Sequence, residues 1–131
     1  MIFDDYKIKS IGGVSNHVIN DAEYDLDMKF SDEFREYLAN YGAVELDNKE
    51  LFGLGIKGYR NIVNATLTEK DLSSGFPCGY CVVYNIGIDS VLILLGNDGC
   101  IYEYVPQRIK KIHNSFSQWI INEFLDVQIG G

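Results

Sequence analysis

Cys78 and Cys81 stand in the stretch FPCGYCVVY, a Cys-x-x-Cys pair of the kind that thiol oxidoreductases and zinc sites use. A redox pair lies between a strand and a helix, whose N-terminus lowers the thiol pKa; here the pair follows Pro77 and runs into the β-branched VVY. That context argues against redox chemistry. A zinc site needs four ligands, and the other candidates are Cys100, His113 and His17, at spacings that match no standard finger. A set of Cys78, Cys81, Cys100 and His113 stays open, with buried or edge-strand packing as the other reading.

Gly53 to Gly58, GLGIKG, satisfies G-x-G-x-x-G literally. A dinucleotide site requires a parallel βαβ unit with a helix opening in the glycine loop, whereas the following YRNIVN reads as extended. Turn glycines between strands are the better account. His17 has no second histidine at i+4, which makes it a surface helix residue, and His113 reads as a partly exposed loop residue ahead of the last helix. No serine carries nucleophile-elbow glycines. The residues therefore assemble no catalytic constellation, and no metal or cofactor is assigned.

The elements that would position these residues follow from periodicity. Ser15 can cap a first helix in SNHVINDAEY, with Val18, Ile19 and Ala22 on one face. DLDMKF alternates Leu26, Met28 and Phe30 with Asp25, Asp27 and Lys29, which predicts an extended segment with its acids outward. Ser31 as cap, Asp32 and Glu33 in the first turn, Phe34, Tyr37, Leu38 and Tyr41 at helical spacing, and Gly42 as stop predict a helix over 32–41. ELFGL and YRNIV read as strands joined by a turn, and NATLTEKDLSSG as a short helix ending near Gly75. Tyr80 to Ile86, Val91 to Leu95 and Cys100 to Val105 form an antiparallel meander, the last two joined by the GNDG turn. Phe116, Trp119, Ile120, Phe124 and Val127 mark a closing helix after Asn114 or Ser115. Helices toward both ends with strands between them give an α+β class, a mainly antiparallel central sheet in a single domain over 1–131.

A chain of 131 residues, 47% apolar, is long enough to bury a core without disulfides. Two aspartates in MIFDDYKIKS and the absence of a long apolar run point away from a membrane, and three cysteines fit a reducing, cytoplasmic setting. The net charge of −8 is uneven: residues 1–50 hold twelve acids against five bases, the remainder seven against six. Such a chain repels nucleic acid and attracts a basic partner, although acidity also serves plain solubility. By charge alone the partner-binding candidates are Asp21, Glu23, Asp25, Asp27, Asp32, Glu33 and Glu36, which a solvated helical face would also explain.

The order AEYDLDMKFSDEFREYLANYG, ELFGLG, NIVNATLTEKDL, FPCGYCVVYNIG, GNDGCIYEYV, SFSQWIINEFL resembles the SUKH superfamily of Smi/Knr-type domains, most of all its bacterial immunity proteins, over about residues 15–126. Phe30, Ser31, Asp32, Phe34, Arg35, Tyr37, Leu38 and Gly42 occupy that family's corner and second-helix pattern, with Ser31 where its proline usually stands. The resemblance implies an α+β domain without enzymatic activity or cofactor, in which GLGIKG is a turn and the cysteines pack at a strand entry. It also implies a cytoplasmic antidote that binds a toxin domain, frequently a nuclease, as a monomer or weak homodimer. A scaffold or regulator of a cell-envelope or signalling pathway is the second role it implies.

Overall fold

A computed structural model describes Phe3 and residues 6–124 of the chain. In order the elements are β1 (Lys9–Ser10), α1 (Asn16–Leu26), α2 (Asp32–Tyr41), β2 (Val44–Leu46), β3 (Lys49–Leu51), a 3-10 turn (Gly58–Arg60), α3 (Ile62–Leu72), β4 (Tyr80–Asn85), β5 (Leu92–Gly96), β6 (Ile101–Val105), β7 (Arg108–His113) and α4 (Phe116–Trp119), which runs on as a π-helical turn (Ile120–Phe124). The α+β class is as the sequence predicts, but the strands sort into two antiparallel sheets, β1-β2-β3 and β4-β5-β6-β7.

The helix caps are those the sequence offers. The Ser15 hydroxyl accepts from the Val18 amide and the Ser31 hydroxyl from the Phe34 amide, each satisfying an amide that the first turn leaves without a carbonyl. Three expectations are corrected. DLDMKF is not extended throughout: Asp25 and Leu26 form the end of α1 and Asp27 is its left-handed C-cap, while Leu26, Met28 and Phe30 turn inward as the alternation implies. YRNIV is not a strand either, because the Asn61 side chain caps Val63 and Asn64 and starts α3 at Ile62. The meander has a fourth strand, β7, reached through the two-residue Pro106–Gln107 turn. Val127 of the expected closing helix lies outside the described residues.

Pairing in the larger sheet puts Tyr84 and Ile93 on one face and Val82, Leu94 and Tyr104 on the other. Trp119 and Phe124 reach Tyr84 on the first face, with ring centroids 5.7 and 5.8 Å away. Phe76 meets Tyr104 on the second at 5.3 Å. Both faces are covered, so β5 is buried at every position and its LILL shows no alternation. Phe34 of α2 joins this core to the helices through Phe30 at 5.3 Å and Phe116 at 5.1 Å.

A bulge in β4 between Val82 and Tyr84 ties the pieces together. A bulge releases backbone groups from the ladder, and buried ones need partners. The Val82 amide donates to the fully buried Thr66 hydroxyl of α3 at 2.9 Å, and the Val83 carbonyl accepts from the Phe52 amide just after β3, also at 2.9 Å. One irregularity thus anchors a helix and the second sheet. Gly53 shows why GLGIKG is structural: its amide donates to Arg60, its carbonyl accepts from Ile62, and a Cβ there would stand 1.7 Å from the Gly42 carbonyl oxygen. No helix among the described residues is long and apolar enough to cross a membrane.

Replacing Thr66 by Val keeps the volume but leaves the Val82 amide unpaired, and is expected to lower stability by about 1–3 kcal/mol in urea unfolding, with Thr66→Ser retaining most of it.

Candidate functional site

The corner between α1 and α2 is built around one buried carboxylate. Glu23 falls on the same helical face as Ile19, Ala22 and Leu26 and is 7% exposed. Its Oε2 accepts from the Phe30 amide at 2.8 Å and its Oε1 from Arg35 Nη1 at 2.9 Å, while Arg35 Nη2 donates to Asn20 Oδ1 at 3.0 Å. Each oxygen of this carboxylate thus accepts from a donor of the corner, which gives the group a structural role. Glu33 is also engaged: its carboxylate accepts from the Ser117 amide at 2.7 Å and from the Ser117 hydroxyl, holding α4 to α2. These two acids are therefore drawn out of the charge-selected set as solvent-facing groups.

The other five are exposed. Asp21, Asp25 and Asp27 run along and past the end of α1, and Asp32 and Glu36 lie on α2. Asp21 and Asp25 are four apart on one helix, as are Asp32 and Glu36, so each pair faces like charge across a turn. Asp21 has a partial partner in His17, whose Nε2 stands 3.4 Å away on the exposed face.

A broad concavity of about 900 Å³ opens against the end of α1, lined by Asn20, Glu23, Tyr24, Asp27, Met28, Lys29 and Asn97. Asn97, in the turn between β5 and β6, accepts from the Lys29 amide at 2.9 Å and so ties the corner to the sheet. Tyr24 stands at the rim, 86% exposed, a large aromatic with no structural duty in the core. The electrostatics of this end of α1 run against helix stability. The C-terminal end of a helix carries partial negative charge and favours cations, yet the last turn has no basic residue, Asp25 sits in it, and Asp27 closes it with φ at +52°. A helix end that gathers negative charge beside an open groove and an exposed tyrosine is suited to hold a cationic side chain. The sequence offered the acids but gave no signal for Tyr24 or Asn97, which only the corner brings to one place.

The motifs that suggested other chemistry are dispersed. Cys78 is exposed, Cys81 and Cys100 are buried, and burial pushes the Cys81 thiol up to about 12, the opposite of an activated thiol. Among the described residues no three His, Cys, Asp or Glu stand where they could hold a metal ion. His113 is the last residue of β7 rather than a loop residue, and its Nε2 meets the Glu123 carboxylate. Burial lowers the Lys49 pKa, and its ammonium donates to the Phe124 carbonyl and lies 4.8 Å from that ring.

The SUKH_5 family model, described as SMI1-KNR4 cell-wall, matches residues 3–125, nearly the whole chain. Comparison with curated proteins gives no match.

If the acids at the end of α1 are held there against local stability, Asp25→Lys is expected to raise the unfolding free energy by about 0.3–1 kcal/mol at low ionic strength, read from urea midpoints. A loss of stability would show that Asp25 serves the helix.

Proposed function

Since the chain belongs to the SUKH_5, SMI1-KNR4-type family, we propose that it is a cytoplasmic immunity protein that binds and neutralises a basic toxin domain, most simply a nuclease. The observation that carries this reading is the negative end of α1, where Asp27 lines a groove together with the exposed Tyr24 while Asp25 and, one turn earlier, Asp21 are exposed on the same helix. Nuclease domains need basic surfaces to hold phosphates, and an inhibitor of net charge −8 is steered onto them and covers the substrate path. Neutralisation on this account is occlusion: the partner's lysines and arginines pair with the inhibitor in place of nucleic acid. It needs no bond-making step, no metal and no cofactor.

The words cell-wall in the family description favour a second reading, a scaffold or regulator in an envelope pathway. The two differ in the charge of the partner. A toxin held by Asp21, Asp25 and Asp27 washes off in high salt, whereas an apolar scaffold contact survives it.

The test is co-expression of this chain with basic nuclease toxin domains of its own organism. One of them is expected to arrest growth alone and to be harmless beside the wild-type chain. The triple variant Asp21→Lys, Asp25→Lys, Asp27→Lys is expected to slow association with that toxin about tenfold or more at low salt and to flatten its salt dependence. Rescue of none of them overturns the immunity reading. Unchanged kinetics of the triple variant removes the interface from α1.

A further inference from the structure

β7 is the outer strand of the four-stranded sheet, paired with β6 along one side and, among the described residues, with no strand along the other. Its first four residues, Arg108 to Lys111, are exposed; Ile112 and His113 are half-buried where His113 meets Glu123. Three of the chain's eleven bases fall within these four positions, on a molecule of net charge −8. Among the described residues none of the three closes an ion pair, although Lys110 stands opposite Glu103 in the ladder and Lys111 lies near enough to Asp98 to favour its ionised form.

The geometry of the edge follows from its hairpin. With a two-residue turn, the closing pair Val105–Arg108 exchanges hydrogen bonds, so Ile109 and Lys111 direct their backbone amides and carbonyls outward. Arg108 and Lys110 share one face with Val105 and Glu103, and Ile109 and Lys111 share the other with Tyr104 and Tyr102. A concavity of about 220 Å³ lined by Glu103, Val105, Arg108 and Lys110 opens on the first face. Lysines guard strand edges against pairing with like-charged or apolar strands, which leaves an acidic strand as the one that such an edge admits. Here every exposed position except Ile109 is cationic.

We propose that the outer edge of β7 takes an extended acidic segment of a partner protein as a fifth strand. The outward amides and carbonyls supply a ladder, and the side chains select the occupant. Acids are required opposite Arg108, Lys110 and Lys111, and an apolar residue opposite Ile109, which read antiparallel gives the order acid, acid, apolar, acid. Charge complementarity decides the occupant. A second copy paired edge to edge would set these bases against one another. Nucleic acid gains at most three phosphate contacts here while meeting the field of a −8 chain. The edge shares no residue with the groove beside α1, so this inference and the immunity reading stand or fall separately.

The experiment titrates the full chain with a fluorescently labelled peptide, Thr-Val-Glu-Glu-Val-Glu-Val-Thr, and with the same peptide carrying Lys for Glu. Saturable binding of the first alone is expected, with slowed hydrogen exchange at the Ile109 and Lys111 amides. The pair Lys110→Glu and Lys111→Glu is expected to weaken binding about tenfold or more. Ile109→Pro, which removes an outward amide without taking a bond from the β6–β7 ladder, is expected to weaken it similarly while leaving the charge unchanged. A circular dichroism spectrum like the wild type's shows that each variant is folded. The proposal is overturned if the acidic peptide does not saturate, if its binding survives Ile109→Pro in the folded protein, if the chain dimerises through this edge, or if a short DNA duplex displaces the peptide.

Discussion

The carboxylate of Glu23 is the constraint on which both the helical layer and the groove depend. A charge that is 7% exposed is expensive to desolvate, and it is tolerated because the Phe30 amide and the Arg35 guanidinium reach it at 2.8 and 2.9 Å. Those two donors lie on the far side of the corner, one in the connection and one in α2, so the ionised group can be satisfied only when α1 and α2 meet at this angle. The corner in turn lowers Phe34 onto Phe116 and sends Lys29 to Asn97. A single buried charge thus relates the helices to each other and to the sheet.

The same corner explains how a helix can end in negative charge. Asp25 and Asp27 are unfavourable where they stand, but the end of α1 is fixed from outside the helix, by Glu23, by the Lys29–Asn97 bond and by the burial of Leu26, Met28 and Phe30. Local preference is overruled by tertiary bonds. Sites where a sequence breaks a local rule and the surrounding structure sustains it are where binding functions concentrate. Against a net charge of −8, negative charge gathers at the end of α1 and positive charge along the outer edge of β7.

What could be read from the sequence followed what local chemistry determines. α2 was legible because Ser31, the acids of its first turn, its apolar spacing and Gly42 all agree. The alternation in DLDMKF reports correctly which side chains turn inward, but it does not show that Asp25 and Leu26 belong to the last turn of α1, because alternation reports facing rather than backbone conformation. α3 begins two residues before NATLTEKDL, because the Asn61 cap prevails over the β-branched pair Ile62–Val63, whose local preference is for a strand. β7 carries no apolar alternation because its residues bear charge on both faces, which leaves the Pro106–Gln107 turn as its one local mark. Charge alone groups Glu23 and Glu33 with the surface acids, although the spacing of Glu23 with Ile19 and Leu26 puts it on the buried face of α1. The groove depends on Asn97 meeting Lys29 across the fold, a relation no local pattern carries.

If a basic partner binds at the end of α1, as proposed, the most direct measurement is a hydrogen-exchange footprint of this chain alone and in complex with a basic nuclease domain whose growth arrest it relieves. The account predicts slowed exchange concentrated in residues 20–29 and around Asn97, with the protection at 20–29 and the complex itself diminishing together as salt is raised. Protection confined to α3 or to the faces of the large sheet, with 20–29 unchanged, would contradict it.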